Sequence, residues 1–501
     1  MVHQLLSNND MEFSVESLEK DLNKMRRYYR SGKTKEASWR ESQLKGLGNF
    51  IMEKDDEILK ALKQDLGKHQ VEAFRDELGT LMKSLNFAIK YLRKWMAAQE
   101  AKLPQIALLS SAEIVPEPLG LVLIISSWNF PFGLSLEPLI GAVAAGNTVV
   151  LKPSELSPSC ASLLSTVLPT YLDNDAIKVI QGGPTVGEQL LKQRWDKIFF
   201  TGSARVGRLV MAAAVEHLTP VTLELGGKSP ALVDSLSSSF DTKVAVKRVL
   251  VSKFGACAGQ ACIAIDYVLV EKSFSSELVR LMKIWIKEMF GENPRASNTI
   301  ARIVDENHFT RLESFLTDDP KVKDSVVYGG SMDKDNLFIE PTILLDPPLD
   351  SAIMTEEIFG PLLPIITLEK IENGIEFINS RPKPLAIYAF TKNKTLQRRL
   401  VSETSSGSIV FNDAILQYAA DTLPFGGVGE SGFGNYHGKF SFDNFSHYKA
   451  VAKRSFYTDF WFRFPPWTIN KLQLLETAYN LDYLGLVLVI LGLKKSKRKL
   501  N

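Results

Sequence analysis

Cysteine is scarce in this chain: its 501 residues include three, Cys160, Cys257 and Cys262. That is too few for a disulfide framework and suits a reducing compartment. Histidine is thin as well, six in all, and none forms an HxxxH or CxxH arrangement, so no metal is expected. The N-terminus, MVHQLLSNNDMEFSVESLEKD, lacks an apolar stretch and holds several acids, which argues against a secretory signal or a transit peptide. An excess of one charge is missing too. The net charge is +2, and five positive charges sit in the last eight residues, KKSKRKLN, which leaves the body slightly negative. A broad nucleic-acid surface is thereby excluded. Long hydrophobic runs are also absent. YLGLVLVILGL, near the C-terminus, falls well short of the ~20 residues a bilayer span needs. With the aromatics before it and the basic residues after it, it reads either as an interfacial helix or as a tail docked on protein.

What is present is ordinary for a soluble globular protein: 45% apolar and 23% charged residues, at a length that allows two or more domains. The first hundred residues carry helical stripes. Val15, Leu18, Leu22 and Met25 form one; Leu44, Leu47, Phe50 and Ile51 a second; Ile58, Leu59, Leu62 and Leu66 a third, ending near Gly67. From Pro118 the pattern changes to short apolar runs, each ending in polar or Gly-rich punctuation: LVLII, TVVLK, IKVIQ, KIFF and PVTLEL. Helix-length segments separate them, which predicts βαβ units and a parallel sheet. A second α/β segment runs from about Pro230 to Ser408, and 407–448 reads as strand and loop. In such sheets ligands bind beyond the carboxyl ends of the strands.

The loops at those ends hold the candidate chemistry. In SSWNFPFGLSLEP, Asn129 is either a turn residue or an amide donor to developing negative charge. In LKPSELSP, Lys152 and Glu155 are either a solvated turn or a lysine–carboxylate pair for ribose hydroxyls. FFTGSARVG places Gly202 and Ser203 at a strand-to-helix turn of the kind that meets a pyrophosphate, though GxGxxG is not spelled. LELGGKSP narrowly fails as a phosphate-binding P-loop, because the first glycine would fall on Thr222. It leaves Glu224, a carboxylate at an apolar strand end, as a paired structural group or a general base. FGACAGQACIAIDY holds Cys257 and Cys262, which taken alone could be buried fillers or a nucleophile with its neighbour.

Together these blocks resemble the aldehyde dehydrogenase superfamily. SSWNFP, LKPSELSP, FFTGSARVG, LELGGKSP and GQACI occur in order, followed by EEIFGPLLP and LPFGGVGESGFGNYHGKFSFDNFSH, and the likeness runs from about Asp56 to Tyr448. The short N-terminus, YHGKFSFDNFSH and the apolar tail resemble family 3. FRDELG, WDKIFFTGS and EPTILLDPPLDS resemble its plant members, the F1 type above all.

The resemblance implies an α/β fold with a Rossmann-like cofactor domain (1–223, with an oligomerisation strand element near 100–117) and an α/β catalytic domain (224–408). After these come a covering and oligomerisation segment (409–448) and an amphipathic, basic tail (449–501). It implies NAD or NADP as cofactor, a small aldehyde as substrate and a homodimer. It places the chain in the cytoplasm, with contact to the cytosolic face of a membrane through the tail as an option. Residue by residue, Cys262 corresponds to the nucleophile, Glu224 to the general base and Asn129 to the oxyanion amide. Lys152 and Glu155 correspond to the adenosine ribose contacts, and Gly202, Ser203, Val206 and Gly207 to the pyrophosphate turn. Glu357 and Phe359 correspond to the pair that positions the nicotinamide. One departure stands out: Cys257 occupies a position where many relatives carry Asn. Two rival readings remain, an acyl transferase using coenzyme A or phosphate, and a non-catalytic membrane-associated protein on the same fold. The aromatics Trp128, Phe132 and Phe433 suggest an apolar aldehyde of medium or long chain.

Overall fold

The computed structural model describes residues 14–104, 107, 110–457, 459 and 461–493. Within them the chain divides into two compact units: Met1–Leu92 with Pro118–Ser446, and Arg93–Glu117 with His447–Asn501.

The first unit is built on two sheets. One has six strands in the order Gly432–Phe433, Val221–Leu225, Lys197–Gly202, Leu121–Ile125, Thr148–Lys152, Ile177–Val179. The five inner and far strands are parallel, and Gly432–Phe433 is antiparallel to Val221–Leu225. Thr148–Lys152 is buried at all five positions, as a strand covered on both faces must be. Helix Val15–Arg30 lays Leu18, Leu22 and Met25 on the core that holds Leu121, Leu123, Val150, Ile198 and Leu223. The second sheet has seven strands: Val326–Tyr328, Thr342–Leu345, Leu362–Leu368, Tyr267–Glu271, Pro230–Val233, Ala386–Phe390, Ser408–Phe411. All its neighbours run parallel except the first pair.

The apolar runs read from the sequence became these strands, and the stripes became helices Val15–Arg30, Ala37–Glu53 and Asp55–Leu66. Gly67 ends the third at φ 69, a left-handed cap that costs glycine little. Two differences are instructive. IKVIQ yields a strand of three residues, Ile177–Val179, because it forms the sheet edge with one partner only. The segment 407–448, expected as strand and loop, contains a helix at Gly438–Asn444. Its buried Ser441 and Phe442 pack onto helix Gly133–Ala145, so tertiary contact overrides a Gly-, Ser- and Asn-rich composition.

The second unit contains a three-stranded sheet, Gln99–Ala101, Ser110–Pro118 and Ser446–Arg454, in that order. Lys453 bridges Glu113 across it at 2.8 Å. Its tail forms helices Ile469–Tyr479 and Tyr483–Ile490. No helix among the described residues is long and apolar enough to cross a membrane. The basic run 494–501 lies outside the described residues.

Candidate active site

The two cysteines separate once the chain is folded. Cys257 and Ala258 have φ of 49° and 52°, followed by Gly259 at 79°. That left-handed backbone is uncommon for residues other than glycine, asparagine and aspartate. Here the strained turn is tied down instead: the Cys257 N–H donates to Glu72 Oε1 at 2.7 Å. The Cys257 side chain is fully buried, with Gln260 Nε2 3.8 Å from its sulfur. Cys262 is partly exposed and stands where two cavities meet.

The first cavity, of about 240 Å³, is the more polar of the two. Asn129, Thr201, Gly202, Ser203, Glu224, Cys262, Glu357 and Phe359 line it, with Trp128, His308 and Arg311. Thus six of the sequence-predicted residues from four separate loops, Asn129, Gly202, Ser203, Glu224, Glu357 and Phe359, face one space with Cys262. The second cavity, of about 230 Å³, lies on the other side of the thiol. Phe130, Leu134, Ala261, Ile263, Ile415, Leu416 and Tyr418 give it an apolar wall, and the Arg75–Asp76 ion pair sits at its margin. Of the aromatics expected to make an apolar pocket, Trp128 lines the polar cavity instead. Phe132 is in the core against Phe50, and Phe433 is on an edge strand. The apolar wall comes from residues that carried no motif.

Electrostatics in the polar cavity favour uncharged groups. Both Glu224 oxygens are buried without a hydrogen-bond partner, and burial holds the carboxyl well above its usual range. Burial, then the charges of Glu357 and Glu224, push the Cys262 thiol up to about 12; its own N–H and that of Ile263 act in the opposite direction. Burial, then Asp266, moves Glu357 up to about 7, against the pull of the Gly227 N–H, which it accepts at 3.0 Å.

The aldehyde dehydrogenase family profile matches residues 11–451, most of the chain. The chain belongs to the aldehyde dehydrogenase family. It is 53% identical over 485 residues to aldehyde dehydrogenase family 3 member F1 of Arabidopsis thaliana, covering 97% of this chain and all of that one. It is 51% identical to member H1 of the same plant, covering 94% and 96%. The solved structure of the substrate-bound Staphylococcus aureus AldH superposes with a TM-score of 0.86 at 41% identity, covering 90% of this chain and 96% of that one. The chain is accordingly an NAD(P)-dependent aldehyde dehydrogenase.

The residues present fit that cofactor. Helix Ala204–Val215 begins at the cavity with Ser203 as its cap. The Ser203 hydroxyl accepts from the Val206 N–H at 3.4 Å, which leaves the first-turn N–H groups of Ala204 and Arg205 for an anion. Gly207 lies outside the lining of the polar cavity; a Cβ there would lie 3.1 Å from Leu225, so this glycine lets the helix sit close on the strand. Gly226 has the same character, since a Cβ on it would overlap the Glu357 carboxylate. Lys152 and Glu155 pair at 2.9 Å at the end of their strand, outside the lining of the polar cavity.

Further residues of this aldehyde dehydrogenase hold the loops in place, and no motif pointed to them. Asn129 Nδ2 donates to the Gln260 carbonyl at 2.9 Å, which couples the amide to the cysteine loop. The Asn129 carbonyl accepts from the fully buried Lys68 at 2.8 Å, and Lys68 pairs with the fully buried Glu77 at 2.7 Å. The other Glu77 oxygen accepts from the Phe132 and Gly133 N–H groups at 2.9 and 3.1 Å. Glu77 sits in a π turn, Phe74–Leu78, the kind of local widening often found at functional sites. On the opposite wall, Lys228 bonds Asp266 and donates to the carbonyls of Ile353 (2.7 Å) and Glu356 (2.8 Å). Arg311 donates to the carbonyls of Glu357 and Ile358 at 3.2 and 2.6 Å, and Asp266 accepts from the Ile358 N–H at 2.9 Å. This clamp holds Phe359 at φ 52°, edge-on to Trp128 at 5.4 Å.

Proposed function

We propose that this enzyme oxidises apolar aliphatic aldehydes of medium to long chain to carboxylic acids, a detoxifying reaction. The observation that carries the reading is the position of Cys262, with a polar cavity on one side and an apolar one on the other. An alkyl chain occupies the apolar space, at ~0.8 kcal/mol per buried CH₂, and its carbonyl meets the sulfur.

In this reading Cys262 is the nucleophile. Its thiol starts protonated, so attack requires a proton acceptor, and the unpartnered Glu224 carboxylate faces the same cavity. The tetrahedral oxyanion takes the second Asn129 Nδ2–H, the first being held by Gln260. The Ser203 helix start, the Lys152–Glu155 pair and the Glu357–Phe359 loop would hold nicotinamide dinucleotide, which would supply the hydride acceptor when bound. Hydride loss leaves a thioester on Sγ. Glu224, having passed the thiol proton to solvent, then draws a proton from water; the hydroxide adds to the thioester, the C–S bond breaks, and the acid departs as the Cys262 sulfur regains a proton from Glu224. A carboxyl that faces the sulfur's cavity and can activate water suits hydrolysis better than transfer to coenzyme A, so turnover should need neither coenzyme A nor phosphate.

Initial rates across n-alkanals, with NAD and NADP in turn, test the substrate class. Over the range that fits the cavity, kcat/KM should rise by up to ~4-fold per CH₂ added. A kcat/KM that falls with chain length overturns the assignment.

Two further expectations rest on the second unit. The strand edges of its small sheet are suited to pairing with a second copy, giving a homodimer. Exposed Phe456, Trp461, Trp467, Leu484 and Ile490 suit contact with a cytosolic membrane face.

A further inference from the structure

Away from Cys262, three buried side chains converge from distant parts of the sequence. Glu137 comes from helix Gly133–Ala145, Asp421 from the loop that follows residues 416–419, and His437 from the residue before helix Gly438–Asn444. One ligand atom from each lies within 4.8 Å of the other two, the one such group among the described residues. Exposures are 3%, 8% and 2%.

Several observations suit a ligand between them. Neither ring nitrogen of His437 has a hydrogen-bond partner, and the ring is enclosed by Tyr436, Tyr418 and Phe425 at 4.5, 4.8 and 5.2 Å between centroids. A buried polar group left unpaired is costly, so such groups are rare. The backbone of His437 is strained as well, at φ 79°, which few non-glycine residues adopt. Charge is also uneven. Lys83 and Ser84 donate to Asp421 at 2.9 and 3.0 Å, and both bonds fall on Oδ1. One ammonium thus faces two carboxylates.

We propose that Glu137, Asp421 and His437 form a binding site for one divalent first-row transition-metal ion. Two carboxylates and one imidazole suit Mn²⁺, Fe²⁺ or Zn²⁺, with ligand distances of ~2.0–2.2 Å, so the donors draw together on binding. The ion gives His437 its missing partner. Its role is to pin the wall: His437 packs on Tyr418, which lines the apolar cavity beside Cys262. The sequence concealed the site because Glu137 is hundreds of residues from Asp421 and His437, and the three match no metal-ligand spacing.

The test uses the full-length wild-type chain, stripped with chelator and titrated with Mn²⁺ while the electron paramagnetic resonance signal of free Mn²⁺ is followed. The expected result is one tight site per chain, weakened at least ~10-fold by Glu137→Gln and by His437→Phe, which keeps the aromatic packing. Co²⁺ added to the wild type should give visible d–d bands without the intense near-ultraviolet band of a thiolate ligand. The midpoint of thermal unfolding should rise with Mn²⁺ concentration. The proposal is overturned if the wild type takes up no stoichiometric Mn²⁺, if both variants bind as tightly as wild type, or if bound Co²⁺ shows thiolate ligation. The Co²⁺ spectrum decides the matter even if the variants fail to fold.

Discussion

Replacing Lys68 by Met tests whether the site is held from beneath by a buried ion pair. The perturbation removes one ammonium and keeps the stem's bulk. Lys68 and Glu77 are both fully buried. Burial alone would discharge Lys68, but the charges of Glu77, Cys257 and Glu72 outweigh it and hold it above the usual lysine range. Removing one partner of such a pair leaves an uncompensated buried charge, a loss of ~3–5 kcal/mol. Glu77 keeps its two N–H donors from Phe132 and Gly133, so the lower end, ~3 kcal/mol, is expected. The assay is urea unfolding of wild type, Lys68→Met, Glu77→Gln and the double variant. The double variant should cost less than the two singles added, by at least ~1.5 kcal/mol, because it leaves no lone charge. Activity gives a second reading. The Asn129 carbonyl loses its Lys68 donor while its side chain remains, so kcat should drop ~10-fold, less than the ~10²–10³ that follows deletion of an oxyanion donor. A Lys68→Met variant within ~1 kcal/mol of wild type and with unchanged kcat refutes the reasoning.

The cofactor-free Cys262 thiol, pushed up to about 12, should be alkylated by iodoacetamide at a rate that climbs about tenfold per pH unit from 7 to 10, since only the thiolate reacts. Peptide mapping separates it from Cys257, which should stay unlabelled in the folded chain; a plateau below pH 9 contradicts the environment described. Glu224→Gln should release NAD(P)H as a single-turnover burst and lower steady turnover at least ~10²-fold, and steady turnover near wild type removes the base assignment.

The chain order of loops made the outline of this site visible before folding. A buried parallel strand must be a continuous apolar run, so LVLII and TVVLK announced themselves. The polar residues after such runs must then lie along one sheet edge. That rule alone brought Asn129, Gly202, Ser203 and Glu224 into one neighbourhood, and Cys262 joined them by resemblance. The supporting residues were not legible in the same way. Lys68, Glu77, Lys228, Asp266 and Arg311 are charged side chains that look like surface until packing removes their water and leaves each other as partners. The apolar wall was misread for a related reason: an aromatic in a loop can face either side of it, as Trp128 and Phe132 do.

By itself, then, the sequence determined the α/β class, the family and which loops carry reactive groups, because those features are local and periodic. The tertiary structure decided the rest. It left Cys262 more exposed than Cys257, set that thiol between a polar cavity and an apolar one, and gathered Glu137, Asp421 and His437 around a common point. These are properties of distance and burial between segments far apart in the chain, which local sequence patterns do not encode.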